Sequence, residues 1–345
     1  MALTQRGKVV IGVVVAAVVA VLALLAFTGN APAPIQSLVD TVTSPDPCPL
    51  TGEERANGKD APVRPMIAVK IENAPEARPQ AGLDDAEVVF EEPVEGGLTR
   101  FIALYHCGGS GRLGPIRSAR LTDPDVLAPF GRSLFAYAGG ADPVKEAIEQ
   151  SDLVDLSYLI AVDAYERDEG RAAPHNLYSS TVALRRAGHG QGEQPAEVFV
   201  FSETFEGKSR RAGVSHLPFS SASDVVWSWS RRADGWLRSH GDEPHVSETG
   251  DRIRADTVVV MHVKVQPGEI RDAAGNPSPE VTLTGDGRVW ILREGRVVRG
   301  RWERASLSDP TRFLTRDGEE IPLRPGTTWI ELLPLDVDPE FIARV

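Results

Sequence analysis

The run "VVIGVVVAAVVAVLALLAF", from Val9 to Phe27, carries no charged side chain, and Arg6 and Lys8 stand just before it. It is about the length needed to cross a bilayer and exceeds the roughly 7–15 apolar residues of an ordinary signal-peptide core. We read residues 9–27 as a transmembrane anchor helix. The basic residues ahead of it keep residues 1–8 in the cytoplasm and place everything after Phe27 outside, a single-pass cell-membrane protein with an extracytoplasmic C-terminal part. A cleaved signal is the competing reading, since Ala31 and Ala33 form an A-x-A pattern, although Pro34 in the next position opposes cleavage there. No cysteine lies near the end of the run to take a lipid; the first is Cys48.

Export shapes the reading of the composition. Lys and Arg number 37 against 49 Asp and Glu, a formal charge of −12. So acidic a chain is not expected to have nucleic acid as a partner, and any functional arginine must be a local exception. Cys48 and Cys107 are the only two cysteines. In an oxidising compartment they are expected to form a disulfide. No metal site and no cofactor are expected: no histidine stands at ligand spacing from Cys48, and only His106 adjoins Cys107.

Residues 28–61, rich in Pro, Ser, Thr, Gly and Asp, read as an extracytoplasmic linker. Strand patterns follow in "MIAVKIE", "EVVFEE" and "TRFIALYH", with "PVEGG" as a hairpin connection between the last two. "TDPDVLAPF" reads as a short helix capped by Asp123, and "PVKEAIEQ" as another capped by Asp142 after the pair Gly139-Gly140. "SSTVALRRAG" reads as a helix capped by Ser179 or Ser180 and stopped by Gly188. From about Gly190 the pattern changes to strands such as "EVFVFS", "VVWSWS", "TVVVMHVKV", "RVWILR" and "TTWIELLP" between Gly-rich turns. The expected class is α+β, with an N-terminal mixed α/β domain over 62–190 and a mainly β domain over 191–345. All six tryptophans fall in the second part, where strand alternation makes them core residues rather than a sugar-stacking platform.

No P-loop, G-x-S-x-G, H-E-x-x-H, C-x-x-C or dinucleotide fingerprint occurs. What remains are polar residues in segments that otherwise read as core. Glu91, Glu92 and Glu95 approach Arg100 across the hairpin, and "GPIRSAR" supplies Arg117 and Arg120. An extended 116–120 puts Arg117 opposite Ile116, Ser118 and Arg120; a helical one puts both arginines on one face. The sequence leaves both open. "APHN" adds His175 and Asn176, a proton carrier and an orienting amide. Exposed ion pairs contribute only about 0–1 kcal/mol, and burial of a pair often cancels its Coulomb gain. Arginines in apolar surroundings therefore suggest a ligand carboxylate or phosphate, which Arg binds bidentately.

The stretches "ARPQAGLDDAEVVFEEPVEGGLTRFIALYH", "GPIRSAR", "YAGG", "APHNLYSS" and "GTTWIELLP" resemble the YerB family, defined by a domain of unknown function and largely described as bacterial lipoproteins. The resemblance runs from Pro62 to Pro334 and implies a membrane-tethered extracytoplasmic protein. It supplies no reaction, and the lipid-attachment cysteine is missing here. The leading expectation is a protein binding an anionic cell-envelope ligand through Glu92, Arg100, Arg117, Arg120, His175 and Asn176. The alternatives are an envelope hydrolase or transferase using Glu92, Glu95 and His175 in acid–base chemistry, and a structural partner in an envelope complex.

Overall fold

β-Branched and aromatic runs at strand spacing build most of the structure. The computed structural model describes residues 46–55 and 58–343. Its first strands are β1 (Ile67–Glu72), β2 (Val88–Pro93), β3 (Thr99–Tyr105), β4 (Leu134–Ala136) and β5 (Val154–Asp155). β6 (Val214–Ser220), β7 (Ser223–Ser230), β8 (Gly235–His240) and β9 (Thr257–Arg271) follow. β10 (Gly285–Arg293), β11 (Arg296–Arg304), β12 (Arg312–Leu314), β13 (Thr328–Pro334) and β14 (Glu340–Ile342) complete the principal strands. The helices are α1 (Thr122–Leu127), α2 (Asp142–Glu149) and α3 (Thr181–Ala187). The mixed α/β first part and mainly β second part match the sequence reading.

Ten strands of a 12-stranded sheet run in the order β12-β11-β10-β9-β13-β2-β3-β1-β4-β5, and two more, Pro277–Thr282 and Arg210–Arg211, pair off this path with β9 and β11. Strands from both sides of residue 190 share it, because β13 pairs in parallel with β2. Pro47–Arg55 and Ala61–Val345 accordingly form one compact unit. β1, β2, β4, β5, β9 and β13 all point one way, with β3 antiparallel between β1 and β2. One face of the sheet packs through Ile71, Val89, Phe101 and Trp329 against a second sheet containing β6, β7, β8 and β14, which supplies Leu217, Trp227 and Trp236. The other face packs Ala68, Phe90 and Ile102 against Val126 and Leu127 of α1 and Val144 and Ile148 of α2. Five of the six tryptophans are buried, in keeping with a core role.

Several local expectations change. α1 begins at Thr122, with Leu121 before it, so Asp123 lies inside the helix and turns inward to Lys70. Asp142 is the first residue of α2 rather than its cap, and it pairs with Lys145 one turn on. Ser180 does cap α3, accepting from the Ala183 amide at 3.1 Å. "EVFVFS" forms no strand and contributes only an isolated bridge between Phe201 and Leu323. The expected anchor over residues 9–27 and the cytoplasmic residues 1–8 lie outside the described residues, as does most of the linker over 28–61. Among the described residues no helix is long and apolar enough to cross a membrane.

Cys48 and Cys107 form a disulfide across a sequence separation of 59 residues, tying the segment around Leu50 to the end of β3. A loop of that length is worth about 4 kcal/mol in the chain-entropy account. Urea unfolding of the full-length protein with and without a reductant is expected to differ by roughly that amount.

Between the sheets, Glu91 of β2 and Glu331 of β13 stand side by side in parallel register, both fully buried. Arg238 of β8 reaches across the interface and donates through Nη2 to both Glu91 oxygens, at 2.9 and 2.7 Å. Trp227 Nε1 donates to Glu331 at 2.7 Å. Burial and the adjacent Glu91 push the Glu331 carboxyl well above the usual range, and a single guanidinium, Arg238, stands against the pair. Removing one partner of a buried pair typically costs about 3–5 kcal/mol. Arg238→Ala is expected to show a loss of that size in chemical denaturation, with its melting transition lowered accordingly.

Candidate functional site

The carboxyl ends of β1, β2 and β4 gather at one edge of the sheet, the place where open α/β sheets offer a crevice beside a change in strand order. The chain changes direction there: after the β2–β3 hairpin it crosses β1 to form β4 on the far side. "GPIRSAR" is the crossing segment, entered through Gly114, whose φ is +146° and whose added Cβ would lie 2.8 Å from the Leu177 carbonyl. Arg117 N donates to Lys70 O at 2.9 Å, Glu72 N to Pro115 O at 3.0 Å, and Ala138 N to Arg117 O at 2.9 Å. The segment is thus extended and wedged between the end of β1 and the chain leaving β4. That settles the choice the sequence left open.

Register brings the charges together. Arg100 on β3 is opposite Glu72 of β1 on one side and Glu92 of β2 on the other. Side chains two apart share a face, so Lys70 joins them. Arg117 Nε donates to Glu72 Oε1 at 2.8 Å, and His175 Nδ1 lies 2.7 Å from Glu72 Oε2. Arg120 Nε donates to Glu95 Oε2 at 3.0 Å. Arg100 Nη1 at 2.9 Å and Arg120 Nη1 at 3.2 Å share the Ser118 carbonyl. Lys70 contacts both Glu92 and Asp123, the latter at 2.6 Å, with all three side chains fully buried.

These environments differ in what they can do. Arg100 is 8% exposed and pairs with no carboxylate among the described residues. Burial, then the positive charges of Arg120 and Arg117, pushes it down to about 10, which leaves it a cation at neutral pH. Burial opposes ionisation of Glu95, but the Arg120 hydrogen bond and charge outweigh it and hold the carboxyl below the usual range. Glu92 is pushed up to about 7 by burial, with Lys70 opposing and Asp123 adding to the shift. One ammonium faces two buried carboxylates, so Glu92 holds its proton up to about neutral pH. Arg117 and His175 are the open members, each side chain 22% exposed. No described residue accepts from the Nη groups of Arg117.

The structure therefore brings together Arg100, Arg117, Arg120, His175 and Glu95, but not every expected residue. Glu92 is sealed under Lys70 and Asp123 and cannot reach a ligand from that position. Asn176 accepts from Arg167 at 2.8 Å and donates towards the Asp168 carbonyl, so it orders the 166–178 hairpin instead. Glu91 points to the opposite face because adjacent strand residues alternate. The carboxylate beside His175 is Glu72, which sequence reasoning passed over. Its signal was present: "VKIE" places two charges at alternate positions of a strand whose every residue is buried. A cleft lined by Glu206, Arg210 and Arg316 lies apart from the cluster. The arginines form a partly buried charged rim.

Residues 50–194 match the family described as "Protein of unknown function (DUF3048) N-terminal domain", and residues 215–330 match its C-terminal domain. The chain is 27% identical over 307 residues to "Putative lipoprotein YerB" of Bacillus subtilis (strain 168), covering 86% of this chain and 88% of that protein. The chain belongs to the YerB family. A crystal structure of YerB from Bacillus subtilis superimposes with a TM-score of 0.71 at 24% identity, covering 85% of this chain and 99% of that one. The YerB fold is thus shared across both parts of the chain.

The buried Lys70–Glu92–Asp123 group has a pH signature. Glu92 holds its proton more tightly in the fold than in the unfolded chain, where 4.5 is its ordinary value. Its contribution to stability is fully present below about pH 4.5 and is lost as pH rises through about 7. Urea unfolding across that window is expected to show stability falling with pH, and Glu92→Gln is expected to flatten the slope.

Proposed function

We propose that this YerB-family protein is a membrane-anchored, extracytoplasmic binding protein whose charged rim at Arg100, Arg117, Arg120 and His175 holds an anionic cell-envelope ligand. Suitable ligands are a peptidoglycan peptide carboxylate or a phosphorylated glycan. The anchor would be the apolar helix over residues 9–27, in the place where the relative's name implies a lipid. The reading rests on one observation above the others: Arg117 donates its Nε to Glu72, and its two Nη groups, with no acceptor among the described residues, form a partly exposed fork. Such a fork matches a carboxylate or phosphate bidentately. Arg100 behind it adds a buried positive charge that no carboxylate of the described residues pairs within ion-pair distance. The acid–base alternative has less support, since Lys70 engages Glu92 and Arg120 engages Glu95.

A charge-assisted hydrogen bond is worth about 1.5–3 kcal/mol, which is roughly ten- to a hundredfold in affinity. Calorimetric titration of the full-length protein in detergent with a muropeptide and with a phosphorylated glycan is expected to show binding of one of them. Arg117→Ala, which leaves the Arg120–Glu95 pair in place, is expected to weaken it by that factor. Equal affinity in a folded Arg117→Ala protein would falsify the assignment.

A further inference from the structure

Beside the disulfide, away from the arginine rim, three side chains offer donor atoms to one point. His106, at the end of β3, is fully buried, and its Nε2 lies 3.1 Å from the Arg64 carbonyl. That carbonyl can only accept, so Nε2 carries the proton and Nδ1 presents a lone pair. Nδ1 lies 3.7 Å from Cys107 Sγ, a disulfide sulfur with no proton to give. Burial, reinforced by the charges of Arg64 and Arg185, pushes His106 down to about 4, so the ring is neutral at physiological pH. Glu87, just before β2, accepts at Oε1 from the amides of His106 at 3.0 Å and Gly108 at 2.6 Å. Its Oε2 is buried with no hydrogen-bond partner among the described residues. One donor atom each from Glu87, His106 and Cys107 lie within 4.8 Å of one another.

We propose that reduction of the Cys48–Cys107 bridge turns this cluster into a binding site for a soft divalent cation such as zinc, with both cysteine sulfurs, His106 Nδ1 and a Glu87 carboxylate oxygen as ligands. Four ligands of these types suit a tetrahedral zinc site. With Zn–S of about 2.3 Å and Zn–N of about 2.0–2.1 Å, tetrahedral geometry separates sulfur and nitrogen by roughly 3.5 Å. The observed 3.7 Å between Cys107 Sγ and His106 Nδ1 is already close to that separation. Charge also fits. Two thiolates and a carboxylate leave one net negative charge on a divalent ion, and two guanidiniums stand next to the site. Arg64 donates to the His106 and Cys107 carbonyls at 2.8 Å each, and Arg185 to those of His106 and Gly108 at 3.2 and 3.1 Å.

The reductant is a dithiol. One of its thiolates attacks Sγ of Cys107, the less buried of the two cysteines, and the electron pair of the S–S bond leaves on Cys48. The second thiol of the reductant then attacks the mixed disulfide, which frees Cys107 and oxidises the reductant to its own disulfide. Two electrons and two protons reach the protein. Metal binding displaces both thiol protons to water without further redox change.

The test uses the full-length protein, reduced with a phosphine under anaerobic conditions and titrated with cobalt(II) as a spectroscopic stand-in for zinc. The reduced protein is expected to bind one equivalent, with a thiolate-to-cobalt charge-transfer band and the visible bands of a tetrahedral ion, both lost when zinc is added. The oxidised protein is expected to show neither. His106→Ala and Glu87→Gln, the second of which keeps an oxygen for the two backbone amides, are each expected to weaken binding by at least about tenfold, the lower end of what loss of even an outer-shell partner costs. The assignment is overturned if the reduced wild-type protein shows no thiolate charge transfer, if both variants bind as tightly as wild type, or if reduction unfolds the protein and zinc does not restore it.

Discussion

The ion pair between Glu91 and Arg238 sits where three stretches distant in sequence meet. Glu91 is in β2, beside β13 in the main sheet, and Arg238 comes from β8 in the second sheet. Neither side chain touches solvent. Two carboxylates, Glu91 and Glu331, stand in register with one guanidinium against them, and burial beside Glu91 pushes the Glu331 carboxyl well above its usual range. Asn73 and Thr99 complete the ring around Glu91, with Thr99 donating at 2.6 Å. A buried charge of this kind adds little net stability compared with a packed apolar contact. Its geometry is what it contributes: with the carboxylate fixed in the sheet, a one-residue slip of β8 would turn Arg238 away and leave Glu91 without its counter-charge.

β2, with its neighbours β3 and β1, carries a second set of charges on the opposite face. Strand alternation makes neighbours in sequence strangers in space, so Glu91 locks the two sheets together while Glu92, one residue later, is closed in by Lys70 and Asp123. Around this buried base lie Arg100, Arg120 and the Glu72 carboxylate, with Arg117 and His175 the most exposed of the group. The rim is therefore rigid from below. Its cations are positioned by buried partners rather than by their own flexible stems, which reduces the entropy a ligand would have to overcome.

Membership of the YerB family fits a fold in which the two parts are not beads on a string. β13, near the end of the chain, is inserted next to β2, near its beginning, so the sheet cannot be completed until the C-terminal part is present. The disulfide adds a further long-range tie, bringing the segment around Cys48 to the end of β3. Long loops of this sort close at an entropic cost that grows only slowly with length.

Much of this could be read from the amino acids. Hydrophobic alternation located β1, β2, β3, β9, β10 and β13, and turn chemistry located the three helices to within a residue or two. Two cysteines in a chain read as exported suggested their pairing. The density of arginine in apolar segments pointed to Arg100, Arg117 and Arg120, which do share one neighbourhood. Sequence could not say that "GPIRSAR" is extended, because Pro115 suits either conformation and the choice is made by hydrogen bonds to Lys70 and Ala138. Nor could it assign partners. Whether Glu72, Glu92 or Glu95 meets His175 depends on strand register and on where a distant loop folds back, and those are properties of the packed sheet. Local sequence determined which segments are strands and helices and which side chains must find a partner; only the tertiary structure decided who that partner is, because a charge buried in a sheet is satisfied by residues brought near in space, not by those beside it in the chain.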